Sequence, residues 1–589
     1  MNKFVSSLLG AFTGTWIAFF VLGIFIFFTG IAMLSSLASS SVSTETVGEN
    51  AILKIDLSGE ITDKPYNKSF QQLVKENNPE AENLYEIVKA IDIAANDDNI
   101  KGIYLNCQGA SMGVASASAL RKALSDFKAK SHKWIYAYGD EMAQGDYYVA
   151  SVADKIYLNP VGALDIHGLT STYLFFKGLM DKLGVEMQII RVGTYKSAVE
   201  PYMLTQMSEA NKQQTQAFVD NIWSNIKTDI ATSRKITEQS IQQYADSLGL
   251  FQEATVALNN KFVDELCYER QISEKLCKLV GAENVDDINF VSPSVVAQSG
   301  NDDITGDHIA VIYAEGEIFV SGDNSSINSE DLVPLVVNLA EDKSVKGLVL
   351  RVNSPGGSAF ASEQIWDALN YFKSKKKPFA VSMGDYAASG GYYISSGADQ
   401  IFADKSTITG SIGIYGMIPN VKKLANDKLG LTTDFVSTAS NSNMSTFEPL
   451  TPVQLNAIQR NVNRGYELFV SRCASGRKMT KDQIKAIAEG RVWDGLTAQK
   501  IGLVDQFGGI KDAVRWVATK AKLNNDYQTK IYPEFKQDFI NLLYSSMQNS
   551  VTTSKGLALD NEFAKYVSTV QKILNRDRIQ CRMDDICIY

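Results

Sequence analysis

Two stretches of this chain repeat each other. Ile100–Leu105 reads IKGIYL and Val345–Leu350 reads VKGLVL, and their first residues, 100 and 345, set an offset of 245. The same offset lays YGDEMAQGDYYVASVAD (138–154) on MGDYAASGGYYISSGAD (383–399). Each is followed by a strand-like run, KIYLNP and QIFADK. At slightly different offsets ILKIDLSGEI (52–61) resembles IAVIYAEGEI (309–318), and SAVEP (197–201) resembles STFEP (445–449). Matches in chain order at a nearly constant offset mean two copies of one structural unit. The length of 589 residues agrees, since it suits about two to four domains.

Each copy alternates short β-branched runs with helical stretches. In the second, 309–314, 346–352 and 378–383 read as strands. Ser362 to Lys373 reads as an amphipathic helix with Ile365, Trp366, Leu369 and Phe372 on one face. Strand-helix-strand alternation predicts parallel βαβ units and an α/β fold. A helical region is expected near 208–280, a polar linker at 285–307 and a helical tail of unassigned role from about 525.

The first forty residues differ from the rest. Trp16 to Ala38 reads WIAFFVLGIFIFFTGIAMLSSLA, with no charge between Lys3 and Glu45. As a helix this run crosses ~30 Å of hydrocarbon, and it exceeds the apolar region of a cleaved signal. It is therefore expected to be a retained anchor. Lys3 argues for a cytoplasmic N-terminus, with the bulk of the chain outside the membrane. Net charge is −9 and the pI about 5.2, so there is no basic stripe to favour nucleic acid. The six cysteines are scattered, which does not imply a disulfide scaffold. Free buried thiols are the simplest reading; Cys267 with Cys277, or Cys581 with Cys587, are possible pairs. Metal-ligand spacing is absent. None of the three histidines, His132, His167 and His308, sits in a motif.

The repeats differ where chemistry is expected. DYAASGGYY (385–393) holds Ser389, and its counterpart DEMAQGDYY holds Gln144 at that place. Ser389 follows a strand and precedes a helix, where free backbone N–H groups favour an anion. Its small neighbours Ala387, Ala388, Gly390 and Gly391 leave room for a substrate backbone. NSPGGS (353–358) places Gly356 and Gly357 at the end of a parallel strand, where α/β sheets bind ligands. The first copy has Ser111 and Met112 there. With no histidine available, a lysine is the candidate base. Burial can bring a lysine from ~10.4 to ~7–8, against roughly 4 kcal/mol. Lys196, in RVGTYKSAVEP, has the required small and apolar surroundings, and Met444 is its counterpart. The first copy keeps the lysine and the second keeps the serine, so one composite site is expected to be shared.

NSPGG, AASGGYY, TGSIGIYG (409–416) and the upstream GTYKSAVEP together resemble the signal peptide peptidase A family, in the long two-repeat form called protease IV. The resemblance runs from about 50 to 525 and includes the N-terminal anchor. It implies two tandem Clp protease/crotonase-like domains, superhelices of ββα units, after a transmembrane helix. The expected layout is a short cytoplasmic segment 1–15, anchor 16–38, lysine-bearing repeat 50–284, linker 285–307, serine-bearing repeat 308–525 and tail 526–589. The resemblance also implies a serine–lysine endopeptidase without metal or cofactor. Ser389 is then nucleophile and Lys196 general base and acid. Gly390 with Gly356 or Gly357 supplies the oxyanion N–H groups, and Ser411 orients the lysine. Released signal peptides are the expected substrates. A homotetramer anchored in the inner membrane, with its catalytic domains on the periplasmic side, is the expected setting. Two alternatives keep the motifs and change the role: a crotonase-like acyl-CoA enzyme, and a non-catalytic membrane scaffold.

Overall fold

Apolar runs such as AILKIDL and VKGLVLRVNS are buried along nearly their whole length, which is how strands covered on both faces read. The computed structural model describes residues 47–63, 83–299, 306–322, 325–523, 527–533, 579–583 and 587–588. The apolar run 16–38 lies outside them. Among the described residues no helix is long and apolar enough to cross a membrane.

The first repeat is built on a parallel sheet. Its strand order is Glu265–Leu266, Lys155–Leu164, Trp134–Met142, Ile100–Cys107, Ala51–Leu57, Phe290–Val291. The second repeat reproduces it with Ile408–Gly410, Phe379–Ala388, Val345–Ser354 and His308–Glu315 side by side and parallel. Gln400–Ala403 also joins Phe379–Ala388 in parallel. Val492–Asp494 closes one edge in antiparallel sense. The chain is thus an α/β protein with parallel sheets. The helix Ala359–Ser374 covers the expected stretch; Ser358 caps it by accepting from Ala361 N, and Ile365, Leu369 and Phe372 are buried. Trp366 is only half-buried, and its ring carries the Arg472 guanidinium 3.9 Å above it.

Two expectations change in detail. The stretch read as a linker holds the strand Phe290–Val291 and the helix Pro293–Ser299, with Val291, Val296 and Ala297 buried. A short apolar segment between polar neighbours gives too little periodicity to be read as an element. The described parts of the tail are strands; the rest of the stretch expected to be helical lies outside the described residues. Gln528–Tyr532 is an edge strand parallel to His308–Glu315, so the second sheet continues past 525.

A third sheet is mixed and draws on both repeats. Its order is Ile327–Asn328, Ile318–Phe319, Gly356–Ser358, Ile579–Arg582, Tyr415–Asn420, Glu186–Arg191. Buried polar contacts reinforce the joint. Asp385 accepts from Ser116 N (3.0 Å) and Ser116 Oγ (2.6 Å), which caps the helix Val114–Ser131 of the other repeat. Arg351 Nε donates to Asp63 Oδ2 at 2.6 Å, and Arg351 Nη1 to Ser382 Oγ and Met383 O. The five cysteines whose side chains are described are free and buried: Cys107, Cys267, Cys277, Cys473 and Cys581.

Candidate active site

The strand Phe379–Ala388 ends at Ser389 and the helix Gly390–Ser395 begins immediately after it. The turn between them is tight. Ser389 takes φ 54° and ψ −111°, outside the regions a side-chain-bearing residue favours. Such a conformation costs about 1–3 kcal/mol and persists only where the surroundings hold it. Here Ser389 N donates to Gly410 O (2.8 Å). The two tyrosines that follow lock the helix: Tyr392 OH donates to Leu503 O, and Tyr393 OH to Glu363 Oε2. Ser389 Oγ makes no capping bond and is aimed at Lys196 instead.

Lys196 arrives from the other repeat. Strand Glu186–Arg191 pairs antiparallel with Tyr415–Asn420, and five residues later the chain reaches Lys196. Tyr195 N donates to Glu489 O (3.0 Å). Gln214 Nε2 donates to Tyr195 O, while its Oε1 accepts from Val492 N, tying the lysine loop to the second repeat. Gly490 lies against the lysine main chain at φ +80°; a Cβ there would stand 2.6 Å from Lys196 Cβ, so no side chain fits.

Lys196 is 1 % exposed and Ser389 0 %. Lys196 Nζ lies 2.7 Å from Ser389 Oγ, 3.1 Å from Ser411 O and 3.1 Å from Ser411 Oγ. A neutral amine has two hydrogens and one lone pair. The two Ser411 oxygens can accept the hydrogens, which turns the lone pair to the Ser389 hydroxyl. Ser411 is itself held by its N–H to Arg491 O (2.7 Å).

The glycine turn stands beside the serine. Gly356 has φ +102°, and a Cβ on it would lie 2.6 Å from Gly390 N. Gly356 N–H donates to Ser354 Oγ (3.2 Å), and Gly357 follows it in the same turn. Of the six residues expected from sequence, Ser389, Lys196 and Ser411 are in direct contact, Gly390 follows Ser389, and Gly356 stands against Gly390 N with Gly357 next in its turn. Lys196 and Ser389 meet within one chain. Met444, the counterpart of Lys196, is half-buried in the loop before Thr451. Among the described residues no cluster of His, Cys, Asp and Glu could hold a metal ion.

The corresponding place in the first repeat is filled. Gln144 holds a loop, accepting from His167 N and Gly168 N and donating to Gly168 O. Asp146, at the position of Gly391, accepts from Gly109 N (2.7 Å) and Ala110 N (3.1 Å). Burial pushes its carboxyl pKa up to about 6 while the two N–H groups oppose this. The strand-end amides of the first repeat are thus occupied by an internal carboxylate. Sequence reading did not assign Asp146; the signal was an acid where the other repeat has glycine.

Comparison with known proteins agrees with this geometry. The model of peptidase family S49 matches residues 127–283 and 371–524, corresponding parts of both repeats. The chain belongs to peptidase family S49. A Clp protease family model matches residues 300–408 of the peptidase. Protease 4 of Salmonella typhi is 35 % identical over 550 residues, covering 90 % of this chain and 87 % of its own. Protease 4 of Haemophilus influenzae is 36 % identical, covering 82 % and 81 %. The chloroplastic serine protease SPPA of Arabidopsis thaliana is 28 % identical, covering 81 % and 70 %. This S49 peptidase is accordingly a serine peptidase of the two-repeat protease IV form, and the acyl-CoA and scaffold readings fall away.

Proposed function

We propose that Lys196 and Ser389 are the catalytic dyad of a membrane-anchored endopeptidase that degrades signal peptides after their release. The observation that carries this reading is the 2.7 Å contact between a buried lysine and a serine held in a strained turn. Neutral Lys196 takes the Ser389 proton as Oγ attacks a peptide carbonyl carbon. The N–H groups of Gly390 and Gly357 receive the oxyanion, each worth about 3 kcal/mol in such sites. Protonated Lys196 then passes its proton to the leaving amine. Lys196 next activates the water that hydrolyses the acyl-enzyme.

The apolar run 16–38 supports anchoring in the inner membrane, with the repeats on the periplasmic side. Exposed apolar side chains at Leu429, Leu431, Phe435 and Val436 supply surface for assembly into a homotetramer. Hydrolysis of a synthetic apolar signal peptide by detergent-solubilised protein tests the reading. Wild type cuts, while folded Ser389→Ala and Lys196→Met do not. A Lys196→Met variant that cuts at near the wild-type rate would place the base elsewhere.

A further inference from the structure

A buried acid follows the lysine in the chain. Glu200 lies in KSAVEP, four residues after Lys196, and is 1 % exposed. A carboxyl withdrawn from water must find donors. Glu200 accepts from Ser208 N (3.1 Å), Ser208 Oγ (2.6 Å) and Asn211 Nδ2 (3.2 Å). With its oxygens taken this way it serves as acceptor only, so Asn211 has to turn its NH2 towards it. That leaves Asn211 Oδ1 to accept from Gln214 Nε2 (3.0 Å). Gln214 is oriented in turn, and its Oε1 is left to accept from Val492 N (3.1 Å). One acid thus fixes the polarity of two buried amides on the helix Glu209–Arg234.

Gln214 reaches both halves of the site. Its second N–H faces Tyr195 O (3.3 Å) and Ser197 Oγ (3.4 Å), on the residues either side of Lys196. Its Oε1 holds Val492, which pairs with Gly410 and follows Arg491, whose carbonyl accepts from Ser411 N. One amide therefore ties the chain beside the base to the chain beside the serine that orients it. The second repeat has a simpler form of this device. At the position Asn211 holds after its helix cap, Gln454 Nε2 donates to Asn443 O (2.7 Å) and Asn441 O (3.0 Å). Asn443 precedes Met444, the counterpart of Lys196. The acid of that motif, Glu448, pairs with Lys422 instead (2.7 Å). The extension through Gln214 belongs to the repeat that carries the base.

We propose that Gln214 is a positioning residue for the dyad, held in orientation by Glu200 through Asn211. This rests on the dyad reading above. Gln214 acts through Lys196 and Ser411. By fixing the spacing of their two segments it keeps Lys196 Nζ within reach of both Ser389 Oγ and the Ser411 oxygens. A misplacement of about 1 Å costs such a site about a hundredfold in rate.

Steady-state hydrolysis of the synthetic apolar peptide by the detergent-solubilised full chain, with melting curves on the same samples, tests the proposal. Gln214→Met keeps the volume and loses the bonds at both ends. Its kcat should fall about tenfold to a hundredfold, with KM changed by less than about twofold. The acid limb of kcat/KM should move to higher pH, since a lysine released from its clamp gains water and holds its proton more firmly. The substitution leaves the ionisable groups around the lysine loop, Arg191, Glu200, Glu489, Arg491 and Cys581, as they are. Asn221→Ala is the control. Asn221 joins the same helix to Asp494 (2.9 Å), and its loss should lower melting while kcat and the pH profile keep their wild-type values. Glu200→Gln, which sets an NH2 among donors, should reproduce the kcat loss through the relay, and it carries the test if Gln214→Met does not fold. Either variant with wild-type kcat and pH profile overturns the proposal and spares the dyad. So does an Asn221→Ala that loses as much kcat as Gln214→Met. Wild type that fails to cut the peptide overturns the dyad reading and the proposal together.

Discussion

Lys196 Nζ stands 2.7 Å from Ser389 Oγ although the two residues are 193 positions apart. Neither repeat holds both groups. The contact exists because Glu186–Arg191 of the first repeat pairs with Tyr415–Asn420 of the second. A base delivered this way must be neutral to act. We therefore expect kcat/KM for peptide hydrolysis to fall as the pH is lowered and the amine protonates. A profile flat from about pH 5 to 9 counts against an amine base.

In the proposed mechanism Ser411 positions the amine, through its two oxygens at 3.1 Å from Lys196 Nζ. Ser411→Ala removes one of its acceptors, Oγ at 3.1 Å, and keeps the main-chain one. We expect kcat to fall about tenfold to a hundredfold with KM nearly unchanged. Ser411→Thr, which keeps a hydroxyl, should recover much of the loss. Steady-state kinetics on all three proteins decides this, and a change confined to KM would refute it.

Gly356→Ala adds a methyl where there is no room. It would stand 2.6 Å from Gly390 N at a backbone φ of +102°. The oxyanion amides would move apart. A loss of about a hundredfold in kcat is expected, the size of one lost oxyanion donor. Melting should fall by the equivalent of roughly 1–2 kcal/mol of strain. An alanine variant with wild-type kcat would remove this turn from the chemistry.

Asp146 makes stability depend on pH in a stated direction. Its folded pKa, about 6, lies above the usual ~3.9 of an aspartate, so folding favours the protonated form. This contribution is fully present below about pH 4 and is lost as pH rises through about 6. Denaturation of the wild type between pH 4 and 7 should show that decline, and Asp146→Asn should flatten it. Asp146→Ala leaves the Gly109 and Ala110 N–H groups without this acceptor and should destabilise by about 1–3 kcal/mol.

The Arg351–Asp63 pair is buried on both sides, each side chain about 6 % exposed. Removing one partner strands a charge. Asp63→Ala or Arg351→Met should lower stability by about 3–5 kcal/mol, and the double variant should recover part of it. Additive losses in denaturant melts would show that the two side chains do not act as a pair.

Much of this was readable before any coordinates. The repeat was visible because paired strands recur at one spacing, and parallel strands covered on both faces must be apolar throughout. The half-erased motifs told where Ser389 and Lys196 belong, since a lost serine and a lost lysine leave complementary gaps. The role of Asp146 was hidden: an acid in DEMAQGDYY looks like a surface residue until it is found capping Gly109 and Ala110. So was the edge strand Gln528–Tyr532, whose five residues carry no pattern long enough to read.

The local chemistry of each motif therefore lies in the chain itself: which residue can attack, which can accept a proton, which backbone can bend left-handed at Gly356. What joins them does not. The 2.7 Å approach of Lys196 to Ser389 and the seating of Cys581 over Gly356 arise from strand pairings between distant segments. Main-chain hydrogen bonds make those pairings, and main-chain groups are the same at every residue. Which strands become neighbours is settled when the two repeats fold together and bury their shared surface.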